Sequence, residues 1–241
     1  MGKLLQQQRR GKGSPSYKRP SHRFKAWIEY RAYDEIEKTG KLKGEVIGFV
    51  DNPMHQAILM KILYDNGDVA YLPSPEGIAI GDVIEEGAQA GIGNGTITQL
   101  KNIPDGFYVF DIENIPGGNG KFVRAPGGYA VVMGKEGDKV VLKLPSKRKV
   151  TMPGDCRAQV GVAACGGKGE RPMFKAGASF YKAAAVNRRW PSVRGVAMNS
   201  VAHPHGGKQH HIGKPSTVSR NAPPGAKTGH LAASRTGRRK R

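Results

Sequence analysis

The C-terminal part of the chain lacks carboxylate side chains altogether. From Arg171 to Arg241 there are fifteen Lys and Arg residues and no Asp or Glu. Because no acid is available, this segment cannot form internal ion pairs, and in water its charges repel one another and keep it open. It therefore cannot fold as an ordinary ion-paired globule by itself. A polyanionic partner is predicted, for which nucleic acid and an acidic membrane surface are the usual candidates.

The remaining charge is also unevenly distributed. The formal net charge is +20 over 241 residues. Residues 1–31 hold nine basic side chains and one acidic side chain, whereas residues 32–142 hold nine basic and sixteen acidic ones. An acidic middle thus lies between two cationic ends. With 7% aromatic residues, 34 Gly and 16 Pro, the chain can bury a core over part of its length, which the apolar periodicity places at roughly 40–164.

The middle of the chain predicts two successive sets of short strands. Apolar alternation and turn residues place the first set at 43–50, 57–64, 69–72, 81–84, 95–100 and 107–112. The second set of five begins with Phe122 and continues at 128–133, 139–144, 149–152 and 157–164. Asp65-Asn66-Gly67-Asp68 is a hairpin turn signal. We therefore expect a mostly β fold in which an OB-like barrel is followed by an SH3-like barrel, with extended basic N- and C-terminal segments.

Four regions follow from these patterns. We predict a basic N-terminal extension at 1–35, extended because it lacks apolar periodicity, and an OB-like barrel at 36–116. The SH3-like barrel is predicted at 117–187, including an Ala-rich helix at 176–187. The basic C-terminal extension occupies 188–241. Its mixture of Trp190, Met198 and Asn199 with many glycines differs from a low-complexity tail and favours a defined path through folded RNA.

Two features leave more than one interpretation open. The turn containing Lys147, Arg148 and Lys149 is either a solvated turn or a phosphate contact. The four histidines His203, His205, His210 and His211 admit three roles: zinc ligands, a general base at His203, or contacts to RNA. The neighbouring sequence has no Cys or acid to complete a zinc site or to orient a catalytic imidazole, so the RNA role is favoured.

Other classes of site and location are excluded by the sequence. No Gly-x-x-x-x-Gly-Lys-Ser/Thr loop is present, although Gly91–Gly95 and Gly166–Lys168 are rich in glycine. No secretory leader and no run of eighteen apolar residues is present, so we expect a soluble intracellular protein without a membrane partner. Cys156 and Cys165 are accordingly expected to be reduced and buried as small apolar residues.

Three stretches resemble a known family. The first and longest is Asn187-Arg-Arg-Trp-Pro-Ser-Val-Arg-Gly-Val-Ala-Met-Asn-Ser-Val-Ala-His-Pro-His-Gly-Gly207, followed by His211-Ile-Gly-Lys-Pro-Ser. It is similar to the hallmark motif of the universal large-subunit ribosomal protein two family. Ser219-Arg-Asn-Ala-Pro-Pro-Gly and Arg19-Pro-Ser-His-Arg-Phe-Lys are similar to the archaeal form of that family. The resemblance covers essentially the whole chain.

The resemblance implies an OB-like and an SH3-like domain whose extensions are buried in large-subunit RNA. It implies a structural constituent of the large ribosomal subunit that binds rRNA, supports subunit association and tRNA binding, and lies near the peptidyl-transferase region, which is itself RNA. Implied partners are large-subunit rRNA, small-subunit rRNA at the subunit interface, and other ribosomal proteins in the cytoplasm. We expect no stoichiometric cofactor, although crowded phosphate favours Mg²⁺ ions that bridge the protein to RNA.

The motif also bears on catalysis. His203 matches the histidine once proposed to assist peptide-bond formation, but Ala202 stands where the family often has an acidic residue. A mechanism that needs a carboxylate beside His203 is therefore not supported, and we predict no enzyme activity and no metal site. The residues predicted to contact RNA are Arg19, His22, Arg23, Lys147, Arg148, Lys149, Arg188, Arg189, Trp190, Arg194, Gly195, Met198, Asn199, His203, His205, Gly206, Gly207, Lys208, His210, Lys214, Arg220, Arg238 and Arg239. Pro204 lies in the same RNA-facing loop.

Overall fold

The chain forms two compact units, seen here in a computed structural model that describes residues 2–53, 55–207 and 210–234. Unit 1 combines Met1–Pro20 with Met173–Arg241, and unit 2 is Ser21–Pro172. The α-helices are α1 (Gln6–Gly11), α2 (Glu35–Thr39) and α3 (Ala176–Ala185). Short 3-10 helices occupy Pro15–Tyr17, Ser21–Arg23, Leu100–Asn102, Gly166–Gly169 and Gly195–Ala197.

Unit 2 is built on a ten-stranded sheet. The strands of unit 2 in chain order are β1 (Leu42–Val50), β2 (Leu59–Tyr64), β3 (Val69–Pro73), β4 (Val83–Glu86), β5 (Ile97–Gln99), β6 (Tyr108–Phe110), β7 (Ile112–Glu113), β8 (Gly120–Phe122), β9 (Ala130–Glu136), β10 (Lys139–Lys143), β11 (Lys149–Pro153) and β12 (Arg157–Val160). The order across the large sheet is β11-β10-β9-β6-β12-β5-β4-β1-β2-β3, and β7 pairs with β8 separately. Unit 1 contains one short parallel pair, β13 (Thr217–Val218) with β14 (His230–Leu231).

Two separate apolar cores lie within unit 2. The first is formed by inward-facing residues of β1 to β5, among them Val46, Ile62 and Leu72. The second is formed mainly by β6, β9, β10 and β12, and includes Val132 and Leu142. Alternate burial along β10, where Val140 and Leu142 are buried and Lys139 and Lys143 are exposed, is typical of a strand with one face on a core. The predicted mostly β fold of two successive barrels is confirmed.

The last strand of unit 2 connects the two halves. β12 pairs antiparallel with β5 through Ala158 and Thr98, and with β6 through Val160 and Val109. The second core also takes Leu100 and Ile103 from the chain before β6. The domain boundaries predicted near residues 35, 116 and 187 stay predictions.

Most predicted strands are present with small changes of length, but one is divided. The segment predicted as a strand at 107–112 forms β6 and β7, interrupted at Asp111, whose φ of 48° is left-handed. A left-handed residue cannot continue a β-ladder, so the chain turns there. The strand predicted at 128–133 is shifted, because β9 begins at Ala130 and runs on to Glu136, and the chain reverses at Gly137, where φ is 61°.

The terminal segments depart from expectation in two places. The N-terminal extension was expected to be extended, and this is wrong at α1, where the Gln8 side chain accepts a hydrogen bond from the Leu5 backbone N–H at 2.7 Å. The predicted helix at 176–187 is α3, which ends at Ala185. Its end is fixed by Asn187, left-handed with φ 51°, and by the Arg188 N–H, which donates to the Ala183 carbonyl at 2.7 Å.

The two cysteines have different environments. Both are free thiols, and Cys156 lies buried in the second core as expected. Cys165 is exposed, so the expectation of burial is wrong for it. Its φ of 65° places it in a left-handed turn before the Gly166–Gly169 helix, a conformation that a strand running to residue 164 does not predict.

Candidate nucleic-acid interface

The division into units places every acidic residue in unit 2. Unit 1 contains twenty Lys and Arg residues and not one Asp or Glu, whereas all nineteen acidic residues lie in unit 2 together with nineteen basic ones. Unit 1 therefore carries the whole net charge of +20, and unit 2 is neutral. Sequence inspection finds the acid-free C-terminal segment, but only the fold shows that residues 1–20, which are also free of acids, belong with it.

The loop from Arg194 to Gly207, termed here the His203 loop, is held by its own backbone. The Ala202 and His203 N–H groups both donate to the Asn199 carbonyl, at 2.9 and 3.1 Å, and the Gly207 N–H donates to the Met198 carbonyl at 2.9 Å. Gly207 has a φ of 78°, which favours glycine. These bonds turn a segment without helix or strand periodicity into a compact loop.

Two further glycines permit the close packing of this loop. A Cβ on Gly195 would overlap the imidazole ring of His203, and a Cβ on Gly206 would overlap the carbonyl oxygens of Met198 and Asn199. Backbone therefore lies directly against the His203 ring. Gly195 and Gly206, predicted as RNA contacts, have a demonstrable role in packing inside the loop, and Gly206 is buried.

The surroundings of the His203 imidazole favour its neutral form. Burial lowers its pKa, and the nearby His205 and Lys214 lower it further because they disfavour another positive charge. The His203 Nδ1 accepts a hydrogen bond from the His205 backbone N–H at 3.1 Å. In the neutral ring the proton is therefore on Nε2, which can donate to a phosphate oxygen or a 2′-hydroxyl.

A cleft next to His203 is lined by the N-terminal segment. Its volume is about 470 Å³, and its walls are the chain near Gly2–Leu5, the segment 200–204, Lys214 and the turn 224–226. The Lys3 N–H donates to the Val201 carbonyl at 2.8 Å, which holds the N-terminal segment against the His203 loop. Lys214 was predicted, whereas Lys3 was missed, because nothing in the sequence signals this long-range pairing.

A second part of unit 1 exposes aromatic rings beside arginines. The Asn187 side chain donates to the carbonyls of Pro15 and Lys18, at 3.1 and 2.6 Å. The predicted residues Arg188, Arg189 and Trp190 follow and are exposed. Phe180 lies edge-on to Trp190 at 6.2 Å, and Tyr181 and Phe174 are 74% and 89% exposed. Exposed rings beside cations offer the stacking and charge that RNA uses.

The predicted residues fall in both units. Those described in unit 1 are Arg19, Arg188, Arg189, Trp190, Arg194, Gly195, Met198, Asn199, His203, His205, Gly206, Gly207, His210, Lys214 and Arg220. Those in unit 2 are His22 and Arg23, in a 3-10 helix, and Lys147, Arg148 and Lys149, in an exposed turn and the start of β11. Lys208, Arg238 and Arg239 lie outside the described residues. The structure thus brings the His203 loop, Lys214 and the N-terminal segment together.

The histidines do not converge on one point. The rings of His203 and His205 lie 4.9 Å apart. Over the part of the chain that the structure describes, no group of three His, Cys, Asp or Glu side chains is close enough to hold a metal ion. Nor does any helix within those residues have the length and apolar character needed to cross a membrane.

Sequence reasoning missed a buried charge cluster in unit 2. Arg157 donates to Glu113 at 2.8 Å and to Glu37 at 2.7 Å, and its guanidinium lies over the rings of Tyr30 and Tyr33. Arg157, Glu37 and Glu113 are all almost completely buried. Short strands of alternating residues gave no signal that charged side chains face inward here.

The chain is similar to known proteins of the large ribosomal subunit. Residues 93–228 match the family model described as "Ribosomal Proteins L2, C-terminal domain". The chain is 48% identical over 240 residues to the large ribosomal subunit protein uL2 of Methanococcus vannielii, covering 99% of this chain and 100% of that protein. It is 47% identical to that of Methanocaldococcus jannaschii, with both chains fully covered, and 44% identical to that of Methanopyrus kandleri, covering 99% and 98%.

Proposed function

This chain belongs to the family of large ribosomal subunit protein uL2, and from that premise we propose that it binds rRNA directly as a primary binding protein. It is a structural constituent of the large subunit. The observation that carries the proposal is the charge of unit 1, with twenty basic residues and no acid. Such a unit needs external anions to offset its self-repulsion, and RNA phosphate supplies them at high density.

The sites of contact follow from the exposed groups. We propose that the arginines of unit 1 and the turn at Lys147–Lys149 contact phosphate, while Trp190, Asn199 and His203 contact bases or 2′-hydroxyls. Lys208, Arg238 and Arg239 complete the proposed contacts. Large-subunit rRNA is the main partner in the cytoplasmic ribosome. The proposal has three further parts. The protein supports subunit association through small-subunit rRNA, it supports tRNA binding, and it supports the peptidyl-transferase region.

The test is the salt dependence of binding to large-subunit rRNA. Each phosphate-contacting side chain removed should lower the log–log salt slope by about one unit. The variant Arg188→Gln/Arg194→Gln/Arg220→Gln should therefore lower it by about three units. The matched control is Lys101→Gln in unit 2, whose side chain pairs with Asp155 at 2.7 Å, and it should leave the slope unchanged. A wild-type slope near zero contradicts the proposal.

We further propose that His203 is not a catalyst. Its Nδ1 is already occupied by the His205 N–H, and unit 1 supplies no carboxylate to orient the ring or to stabilise its charged form. Ribosomes that carry His203→Gln should assemble and form peptide bonds at a near-normal rate. A variant ribosome that assembles normally yet forms no peptide bonds restores the catalytic interpretation.

A further inference from the structure

A row of side chains crosses the outer face of the second barrel. The register pairs Tyr108 of β6 with Val131 of β9, Val131 with Lys143 of β10, and Lys143 with Lys149 of β11. Residues paired across neighbouring strands point to the same face. Because the alternate residues of β9 and β10 are buried in the second core, this row faces outward. It is about 14 Å long, three strand spacings of roughly 4.8 Å each.

One end of the row is aromatic. Tyr129 lies two residues before Val131 on the same face, and its ring centroid is 4.6 Å from that of Tyr108. The two rings are 42% and 49% exposed, so neither is used to fill the core. Gly127, Gly128 and Tyr129 line a cavity of about 330 Å³ that extends to Lys143 and Lys147.

The other end is cationic without a counter-charge. Lys143 and Lys149 are directly opposite each other, an arrangement that destabilises a sheet because like charges repel. Neither lysine has an ion-pair partner among the residues that the structure describes. The acidic residues of this hairpin, Glu136 and Asp138, lie at its opposite end, beyond Lys139. The cationic end therefore lacks an anion that the fold itself could supply.

The turn between β10 and β11 adds a third lysine at a conformational cost. The Lys147 N–H donates to the Leu144 carbonyl at 2.8 Å, and the Leu144 N–H donates to the Arg148 carbonyl at 2.9 Å. Lys147 is left-handed, with φ 65°, at a position where such hairpin turns favour glycine. Its side chain lines the same cavity as Tyr129. One lysine with a strained backbone, two lysines without an ion-pair partner among the described residues, and two exposed rings thus share one surface.

We propose that this surface, the Tyr–Lys face (Tyr108, Tyr129, Val131, Lys143, Lys147 and Lys149), binds an unpaired segment of RNA. Bases stack on Tyr129 and Tyr108, and phosphates bind the lysines. The segment is unpaired because base faces are hidden within a duplex, whereas aromatic stacking needs them free. This inference rests on the proposed function, which already assigns phosphate contacts to the Lys147–Lys149 turn, and extends that turn into an aromatic site for single-stranded RNA.

The test maps contacts locally, because unit 1 of the full chain is itself proposed to bind RNA. The probe is an oligouridine that contains 4-thiouridine, photocrosslinked to the full chain and mapped by peptide mass spectrometry. Crosslinks at Tyr108 or Tyr129 are expected. Tyr129→Ser should lower their yield about tenfold, and Tyr129→Phe, which keeps the ring, should retain it. Lys143→Gln should likewise lower the crosslink yield. Its matched control is Lys139→Gln, on the same strand but at the acidic end, which should leave the yield unchanged.

The outcomes separate this inference from the proposed function. Crosslinks confined to unit 1 overturn the Tyr–Lys face and leave rRNA binding by unit 1 intact, whereas no crosslinks in either unit overturn both. Equal competition by a hairpin duplex of the same length contradicts the preference for unpaired RNA. Lys147→Gly gives an independent check, since it should raise the melting temperature by relieving the left-handed strain while it lowers the crosslink yield. An unchanged yield opposes the role of Lys147.

Discussion

Asp111 combines burial with an unusual backbone at a single residue. It is left-handed and completely buried, and a Cβ on Gly120 would overlap its carboxyl group. The Arg124 Nε lies 3.2 Å from Oδ1 without forming a hydrogen bond. Burial accordingly outweighs this attraction and raises the pKa of Asp111 to about 6.

This predicts a stability that falls with rising pH. An unfolded Asp has a pKa of about 3.9, so the protonated Asp111 stabilises the fold fully below that pH, and this contribution is lost as the pH rises through about 6. The neutral Asp111→Asn should therefore gain up to about 3 kcal/mol relative to wild type between pH 4 and 7. Urea unfolding followed by circular dichroism measures the difference. Asp105→Asn, at an exposed position, is the control, and a pH-independent difference for Asp111→Asn contradicts the prediction.

Arg157 is the cation that makes a cluster of buried carboxylates tolerable. Glu86 lies 3.6 Å from its Nη1, and burial together with Glu37 raises the pKa of Glu86 well above its ordinary value. Tyr64 donates a short hydrogen bond to Glu86. The buried guanidinium of Arg157 thus lies beside three buried glutamates. Its removal would take away the positive charge that compensates their carboxylates.

Arg157→Met should consequently destabilise unit 2 by about 3–5 kcal/mol, because it leaves the buried Glu113 without a cation and leaves Glu37 with only Arg31, 3.6 Å away. Adding Glu37→Gln and Glu113→Gln should recover part of this loss, since the remaining groups are then neutral. The free energy of unfolding in urea measures both effects. If the single and triple variants are equally unstable, the loss comes from packing and not from charge.

At the scale of elements, the strands of unit 2 were largely predictable and the loops of unit 1 were not. The period-2 alternation in β1 and β10 reflects one buried face, which any register must preserve. The His203 loop has no such period, and its shape comes from backbone hydrogen bonds and from glycines that admit close contacts. The family motif contains both Gly195 and His203, but composition alone could not place Gly195 against His203.

Gly195→Ala tests that packing. The added methyl group would overlap the His203 ring, and the loop would have to open, at a cost of about 1–3 kcal/mol. We expect about a tenfold loss of rRNA affinity if the closed loop is the form that binds RNA. Gly177→Ala is the control, because its methyl group meets open space in α3 and favours the helix. Equal affinities for the two variants contradict the prediction.

At the scale of the whole molecule, the chain separates two physical tasks. Unit 2 folds by apolar burial and internal ion pairs such as Arg157 with Glu113, and its charge is zero. Unit 1 buries few apolar residues and concentrates the cations. The acid-free C-terminal segment was evident from the sequence. The joining of residues 1–20 to it was not, because pairing between distant segments leaves no local pattern.

The separation predicts that salt acts on one unit only. Raising NaCl from 0.1 to 1 M shortens the Debye length from about 10 to about 3 Å and screens the repulsion within unit 1. Amide hydrogen exchange in α3 and the His203 loop should therefore slow, relative to β9 and β10, in the free protein. Equal changes in both units show that salt acts through general stabilisation.

The position of β12 bears on the order in which the protein can be made. In the sheet, β12 lies between β5 and β6, although a ribosome synthesises β12 more than forty-five residues after β6. A nascent chain must therefore wait for residues 157–160 before the ten-stranded sheet can close, and such distant pairing is slow to form. Unit 1 includes residues 173–241, which follow unit 2 in the chain, so unit 1 is completed after unit 2. Unit 1, which is proposed to bind rRNA, can therefore form its complete folded surface only after unit 2 has been synthesised.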